Sequence, residues 1–194
     1  MSLIIIVLLV VLVLYLISIY NRLVTARNGA KNAFAQISVQ LTRRHDLIPN
    51  LVEVARGYLQ HERQTLEAVI EARNAAVSGL KAAAADPADV AAVGALAGVE
   101  NQLTSALGRL FALAEAYPDL NADRTMMQLS EELTTTENKV AFARQAYNDA
   151  VLGYNNSREV FPNNFIASNF DFAPLQMLEI DSAARAEVPK ISFG

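Results

Sequence analysis

Few residues of this chain could do chemistry. His45 and His61 stand sixteen residues apart, there is no cysteine, and carboxylates gather on one helical pattern at Glu131, Glu132 and Glu137. A di-iron centre in a helical bundle needs paired Glu-x-x-His motifs facing inward, and the positions three before His45 and His61 are Thr42 and Tyr58. Zinc takes His, Cys or carboxylate ligands in tetrahedral sets, so two histidines without cysteine would have to enlist several carboxylates. The spacing of Glu131, Glu132 and Glu137 puts them mostly beside the apolar stripe, where solvation explains them. No glycine-rich phosphate loop occurs, and no serine arrangement suggests a nucleophile. The expectation is a protein without catalysis, metal or cofactor.

Binding chemistry is better represented. Arg43, Arg44 and Asp46 are expected at a helix end or kink, where the macrodipole favours cations and Asp46 can pair locally or cap the next helix. With Asn50 and Glu53 they form a candidate interaction patch, and His61 and Glu62 could extend it. Helix-end electrostatics and a solvated face account for the same residues without any partner.

The element that positions everything is the N-terminal run MSLIIIVLLVVLVLYLISIY, with fifteen uninterrupted apolar side chains from Leu3 to Ile17 and no charged side chain. Residues 3–20 as a helix are roughly 27 Å long against a hydrocarbon core of about 30 Å, so they can span it. Tyr15 and Tyr20 fall near the C-terminal interface, where amphipathic rings are favoured. A cleaved signal peptide is the competing reading, but the run lacks a basic n-region, and cutting near Val24-Thr25-Ala26 would sever a helical pattern that continues to Arg44. Arg22, Arg27 and Lys31 follow the span with no acidic residue between Asn21 and Gln40, which places the soluble part in the cytoplasm by the positive-inside rule. The absence of cysteine is compatible with either compartment.

The formal charge of −4 divides into +4 over residues 21–63 and −8 over residues 64–194. A basic end beside an anionic bilayer suits this gradient, a mixed solvated surface with chance clustering explains it equally well, and nucleic acid, which needs a concentrated basic patch, does not fit it.

Beyond the span the pattern is helical almost throughout. Leu23, Ala26, Ala30, Ala33, Phe34, Ile37 and Leu41 form a first apolar stripe; Leu51, Val52, Ala55, Tyr58, Leu59, Leu66, Val69, Ile70, Arg73 and Val77 a second. Arg73 in that stripe is expected to bury only its stem. Val93, Leu96, Leu103, Leu107, Leu110, Ala114 and Tyr117 form a third, interrupted by Glu100. The fourth is the most regular, a coiled-coil-like alternation of steps from Met126 through Leu133, Thr136, Val140 and Tyr147 to Tyr154. Pro49 disfavours helix at Ile48, so the chain either turns back at residues 46–48 or the helix kinks there; the turn is expected because it divides the chain into segments that could lie side by side. Asp86-Pro87 is expected to open the third helix, and Asn121 to cap the fourth. The expected fold is all-α: a single transmembrane helix over residues 3–20 continuing into an elongated antiparallel four-helix bundle over residues 21–156.

Residues 157–194 form an irregular C-terminal tail holding five of the eight phenylalanines. Disordered segments are aromatic-poor, so Phe161, Phe165, Phe170 and Phe172 are expected to anchor the tail by inserting rings between helices, with Phe193 beyond them. A tail that binds a partner is the alternative.

Two stretches carry a resemblance. QLTRRHDLIPNLVEVARGYLQHE at residues 40–62, preceded by YNRLVTARN at residues 20–28, resembles the signature of the LemA family of bacterial membrane proteins. ELTTTENKVAFARQAYNDAVLGYNN at residues 132–156, followed by Phe161-Pro162-Asn163, fits the same family; His45 departs from it, standing where an aromatic residue is usual. The resemblance implies a single-pass protein of the bacterial inner membrane with a bundle of long helices. It implies no established enzymatic chemistry, and relatives are often encoded beside membrane proteases or take part in forming membrane organelles.

The sequence therefore reads as a membrane-anchored helical scaffold or adaptor whose partners are the lipid bilayer, a second copy of itself or another membrane protein. A regulatory subunit of a membrane protease is the alternative. Small residues at Ala26, Ala30 and Ala33, and in the run from Ala82 to Ala97, would permit close approach of a second copy or of a neighbouring helix within the same chain.

Overall fold

The computed structural model describes residues 1–180. Among them there is no strand; the chain forms α1 (Ser2–Tyr58), α2 (Arg63–Ala85), α3 (Val90–Glu115), the single turn α4 (Pro118–Asn121), α5 (Arg124–Glu159) and α6 (Asn163–Asn169). Residues 172–180 have no regular secondary structure. Phe193, and the tail beyond Ile180, lie outside the described residues.

The first helix is 57 residues long, about 85 Å at 1.5 Å per residue. Its side chains are exposed through Ser18, and burial begins at Ile19 and continues on one face through Leu23, Phe34, Ile37, Leu41, Ile48, Leu51 and Ala55. Among the described residues it is the one helix long and apolar enough to cross a membrane.

The turn expected at residues 46–48 does not form. The helix runs through Pro49 and breaks at residues 59–62. Proline removes the N–H that would have bonded the carbonyl four residues back, here that of His45. Arg73 of α2 takes the vacant place, its Nε donating to the His45 carbonyl at 3.1 Å. The apolar face also continues across the proline, with Ile48, Leu51 and Val52 all buried, so packing outweighs the local preference against helix before proline. The expected second stripe is consequently split: Leu51 to Tyr58 finish α1, Leu59 follows at its end, and Leu66 to Val77 belong to α2.

Two helix starts also differ from expectation. Asp89, not Asp86, caps α3, accepting from the backbone N–H of Ala91 at 2.8 Å and Ala92 at 3.1 Å, so the helix begins three residues after Pro87. Asp123, not Asn121, caps α5 through Thr125 and Met126, and Asn121 ends α4. Each aspartate leaves its backbone extended while its carboxylate satisfies two orphan donors.

Helix directions follow from the contacts. Phe34 of α1 meets Tyr147 of α5 edge to face at 5.5 Å, and the Tyr58 hydroxyl at the far end donates to Asp123 at the start of α5; α1 and α5 run opposite ways. α2 returns along α1, bringing Arg73 to His45 and Asp86 to within 4.0 Å of Lys31. α3 reverses again against α2 and comes in tightly at Gly79, where a Cβ would stand 2.8 Å from Val99 Cγ2. Ala30 is buried and Ala26 and Ala33 pack against the core, so the small residues of α1 serve the chain's own packing.

Candidate functional site

The interior is not one core. A membrane-proximal cluster runs from Ile19 to Leu41 on α1 with Leu80, Leu96, Val140, Tyr147 and Tyr154. A distal cluster begins at Ile48 on α1 with Ala76, Leu103 and Leu133. On α1, α3 and α5 the residues between the two clusters include buried polar side chains: Arg44, His45, Glu100 and Thr136.

Glu100 is fully buried at the centre of this layer. Arg44 Nη1 donates to its Oε2 at 3.1 Å, and His45 Nε2 donates to its Oε1 at 2.7 Å. The other Arg44 terminal nitrogen donates to Thr104 Oγ1 at 3.0 Å and lies 3.9 Å from a Glu137 carboxylate oxygen. Arg73 closes the layer from α2, bonding the His45 carbonyl and standing 3.9 Å from Asp46. Thr136 returns its hydroxyl to the Glu132 carbonyl of its own helix at 2.8 Å. Charges removed from water are tolerated only when paired and hydrogen-bonded, and both carboxylate oxygens of Glu100 have such partners. The layer favours the one register of α1 on α3 that sets Arg44 and His45 against Glu100, because a slip would leave a buried charge unpaired.

The candidate patch of Arg43, Arg44, Asp46, Asn50 and Glu53 therefore divides. Arg44 is not at a helix end; it points inward in mid-helix with 4% exposure. Arg43, Asp46, Asn50 and Glu53 are exposed, and their steps of three and four put them on the outer face of α1. Glu53 pairs with Arg56 at 3.4 Å. His61 lies in the turn after α1 rather than on a second helix, beside an open hollow also lined by Arg56, Arg63 and Glu67. Among the described residues no group of three or more His, Cys, Asp or Glu side chains could hold a metal ion.

A second built feature is the seat of the tail. After α6 the chain turns at Asp171, with φ of 52°, and runs back along α5. Asn155 grips the backbone of Leu175 twice, donating from Nδ2 at 2.9 Å and accepting at Oδ1 at 3.0 Å. Asn148 does the same to Leu178 at 3.2 and 2.9 Å. The Tyr154 and Tyr147 hydroxyls donate to the carbonyls of Ala173 and Gln176, each at 2.8 Å. Seven helical residues advance about 10.5 Å and three extended residues about 10 Å, so a Tyr-Asn pair repeated at seven matches a backbone repeated at three. Burial pushes the Tyr147 phenol up to about 12 and raises that of Tyr154 as well. At the other end of α5, hydrogen bonds from the Met126 backbone and the Tyr58 hydroxyl hold the Asp123 carboxyl below its usual range.

The expected tail anchors behave differently from one another. Phe172 is buried at 2% exposure under the Arg27 guanidinium, 4.9 Å from the ring centre. Phe161, Phe165 and Phe170 do not insert between helices: they remain 79%, 61% and 57% exposed. The one buried residue of α6 is Ala167, so the short helix packs through a small side chain, with Phe165 turned outward on it and Phe161 and Phe170 exposed on either flank. Sequence reasoning missed Glu100 as a site residue and missed Asn148 and Asn155. The signals were present, as a carboxylate at an inward position and as a Tyr-Asn dipeptide recurring after seven residues.

Residues 33–193 match the model of the LemA family. The chain is 23% identical to Protein LemA of Metamycoplasma hominis over 168 residues, 87% of this chain and 72% of that protein. It is 26% identical to a magnetosome protein MamQ of Paramagnetospirillum magneticum and 25% identical to that of Magnetospirillum gryphiswaldense, each over 163 residues, 76% of this chain. The chain spans 60% of the length of those magnetosome proteins. The long apolar N-terminal helix and these relatives together suggest a membrane-anchored bacterial protein. With a family match over most of its length, the chain belongs to the LemA family.

Proposed function

We propose that the chain is a single-pass scaffold or adaptor of the bacterial inner membrane, with its helical body in the cytoplasm and no catalysis of its own. The reading divides the chain into an anchor at residues 3–20, an elongated antiparallel four-helix bundle at residues 21–156 and a tail packed on it from residue 157. The continuity of α1 carries the proposal: the exposed apolar run passes into the buried stripe at Ile19 and Leu23 within one helix. With neither glycine nor proline between Leu3 and Asn28, anchor and body form one rod that presents the bundle at a fixed height and angle. Arg22, Arg27 and Lys31 beside the anchor support the cytoplasmic side.

Partners, or a second copy, dock on the outer face of α1 at Arg43, Asp46, Asn50 and Glu53. That relatives carry the name magnetosome protein supports a role beside a membrane compartment. Photo-crosslinkers placed at Asn50 and at Arg43 in intact membranes test this. The expected outcome is a discrete adduct with a membrane protein or with the chain itself, abolished when Asp46 and Glu53 are changed to lysine. Adducts that spread equally over all exposed positions contradict it.

A further inference from the structure

We infer that the membrane-facing end of the body is itself a lipid-binding surface, in which Phe161, Phe165 and Phe170 dip into the bilayer interface beside the anchor. The inference rests on the reading of residues 3–20 as a membrane span and adds a second contact to it.

Exposed aromatic rings on a short packed helix need an explanation, since apolar side chains of this size ordinarily turn inward. Here one of the three rings is tied directly to the end of the apolar run, and the other two flank or begin the same short helix. Phe170 meets Tyr20 edge to face at 5.3 Å, and Phe172 meets the same tyrosine at 5.4 Å. Tyr20 ends the apolar run. Phe161 and Phe165 contact one another at 6.0 Å, and Val160 beside them is 53% exposed. α6 packs on both α1 and α5, so it lies at the end of α5 where α1 leaves the body toward the span. Exposed apolar surface thus runs from the stretch ending at Ile17 across Tyr20 to Phe170, and α6, which carries Phe165 and follows Phe161, packs on the same end of α1 and α5.

The bilayer is the occupant this continuity selects. A span reaching Tyr20 puts the plane of Phe170 at the boundary of the hydrocarbon, and apolar faces held in that plane bury about 5–10 Å into the headgroup and acyl boundary. Charge argues the same way. Arg22 is exposed next to the site, but Glu159 and Asp171 are exposed there too, so attraction to anionic lipid is weak and ring burial supplies the binding. Two contacts, a span and a ring-bearing end, hold the rod's angle to the bilayer against the tilting that a single span undergoes.

The chain contains no tryptophan, so a single introduced one reports its own depth. Phe161→Trp, Phe165→Trp and Phe170→Trp are reconstituted one at a time in phosphatidylethanolamine and phosphatidylglycerol vesicles doped with phosphatidylcholine brominated near the top of its acyl chains. Phe142→Trp, at a 75% exposed site far along α5, is the water-facing control, and Leu9→Trp reports the span. The expected result is blue-shifted emission and strong bromine quenching at all three positions, little quenching at Phe142→Trp, and quenching that hardly changes with salt. Quenching at the three positions no greater than at Phe142→Trp, while Leu9→Trp is quenched, overturns the lipid contact and leaves the anchor standing. A blue shift without bromine quenching means that protein covers the rings and likewise overturns it. Loss of quenching at Leu9→Trp as well removes the span and the surface together.

Discussion

The two cores of this protein solve the same packing problem with different material. The distal core is aliphatic: leucines, valines and alanines from α1, α2, α3 and α5 face one another around Leu51, Val69, Leu103 and Leu110. The membrane-proximal core buries Phe34, Tyr147, Tyr154 and Phe172 and recruits Leu175, Leu178 and Ile180 from the tail. The reason lies in helix lengths. The loop joining α2 and α3 meets α1 at Lys31 through Asp86, so between Lys31 and Ile19 the long helices are α1 and α5, with only the short α6 beside them. Two helices leave a groove open to water on either side, and large rings with an extended strap are what close it. The distal half is a packing of helices; the proximal half takes the ends of α2 and α3 as far as Leu80 and Val93 and is closed below them by its own C-terminal segment.

The polar layer between the halves is where the comparison can be broken most severely. Glu100→Ala leaves Arg44 and His45 buried without their acid, and a loss of about 3–5 kcal/mol is expected in denaturant unfolding. Replacing Arg44, Glu100 and His45 together with apolar residues of similar size is expected to restore stability and merge the two cores into one. If Glu100→Ala unfolds at the wild-type midpoint, the layer is not what ties the halves.

A smaller effect isolates the helix through Pro49. Arg73→Met leaves the His45 carbonyl unsatisfied, at a cost of about 1–3 kcal/mol. In a Pro49→Ala background the backbone supplies its own N–H to that carbonyl, so the same change should cost distinctly less. Equal costs in both backgrounds would show that Arg73 acts only through its stem.

The smallest effect is confined to the proximal half. Tyr147 carries its phenol at about 12 when folded, against about 10 in an unfolded chain. The folded state therefore holds this proton more tightly, and the stability it contributes is intact below pH 10 and lost as pH rises toward 12. Amide exchange in residues 173–178 should accelerate across that window while the distal helices α2 and α3 stay protected, and Tyr147→Phe should abolish the step.

How much of this was legible in sequence depends on what each residue answers to. The anchor, the all-helical class and the inward stripe of α5 follow from runs and periods of apolar residues, which are local properties. The polar layer was visible only as separate exceptions: Glu100 interrupting one stripe, Thr136 and Arg73 sitting within two others, Arg44 assigned to a helix end. Each looks like noise on its own helix, and only the mutual register of the helices turns them into one layer. Pro49 misled for the same reason, because the group that replaces its missing hydrogen bond is twenty-four residues away on another helix. In the caps, Asp89 and Asp123 prevailed over Asp86 and Asn121 because burial of Val93 and Met126 set where each helix must begin. The rings of α6 answer to a surface outside the chain, which no stripe within it records.

The central claim is that anchor and body are one rod. The chain has no cysteine, so spin labels at Leu12→Cys in the span and Val39→Cys on the exposed face of the body report a single distance in nanodiscs loaded with one chain each. A continuous helix predicts one narrow distribution centred at about 40 Å for the twenty-seven intervening steps, broadened when a glycine-serine segment is inserted after Tyr20. A broad or shorter distribution in the unmodified chain would contradict the rod and with it the fixed presentation of the body at the membrane.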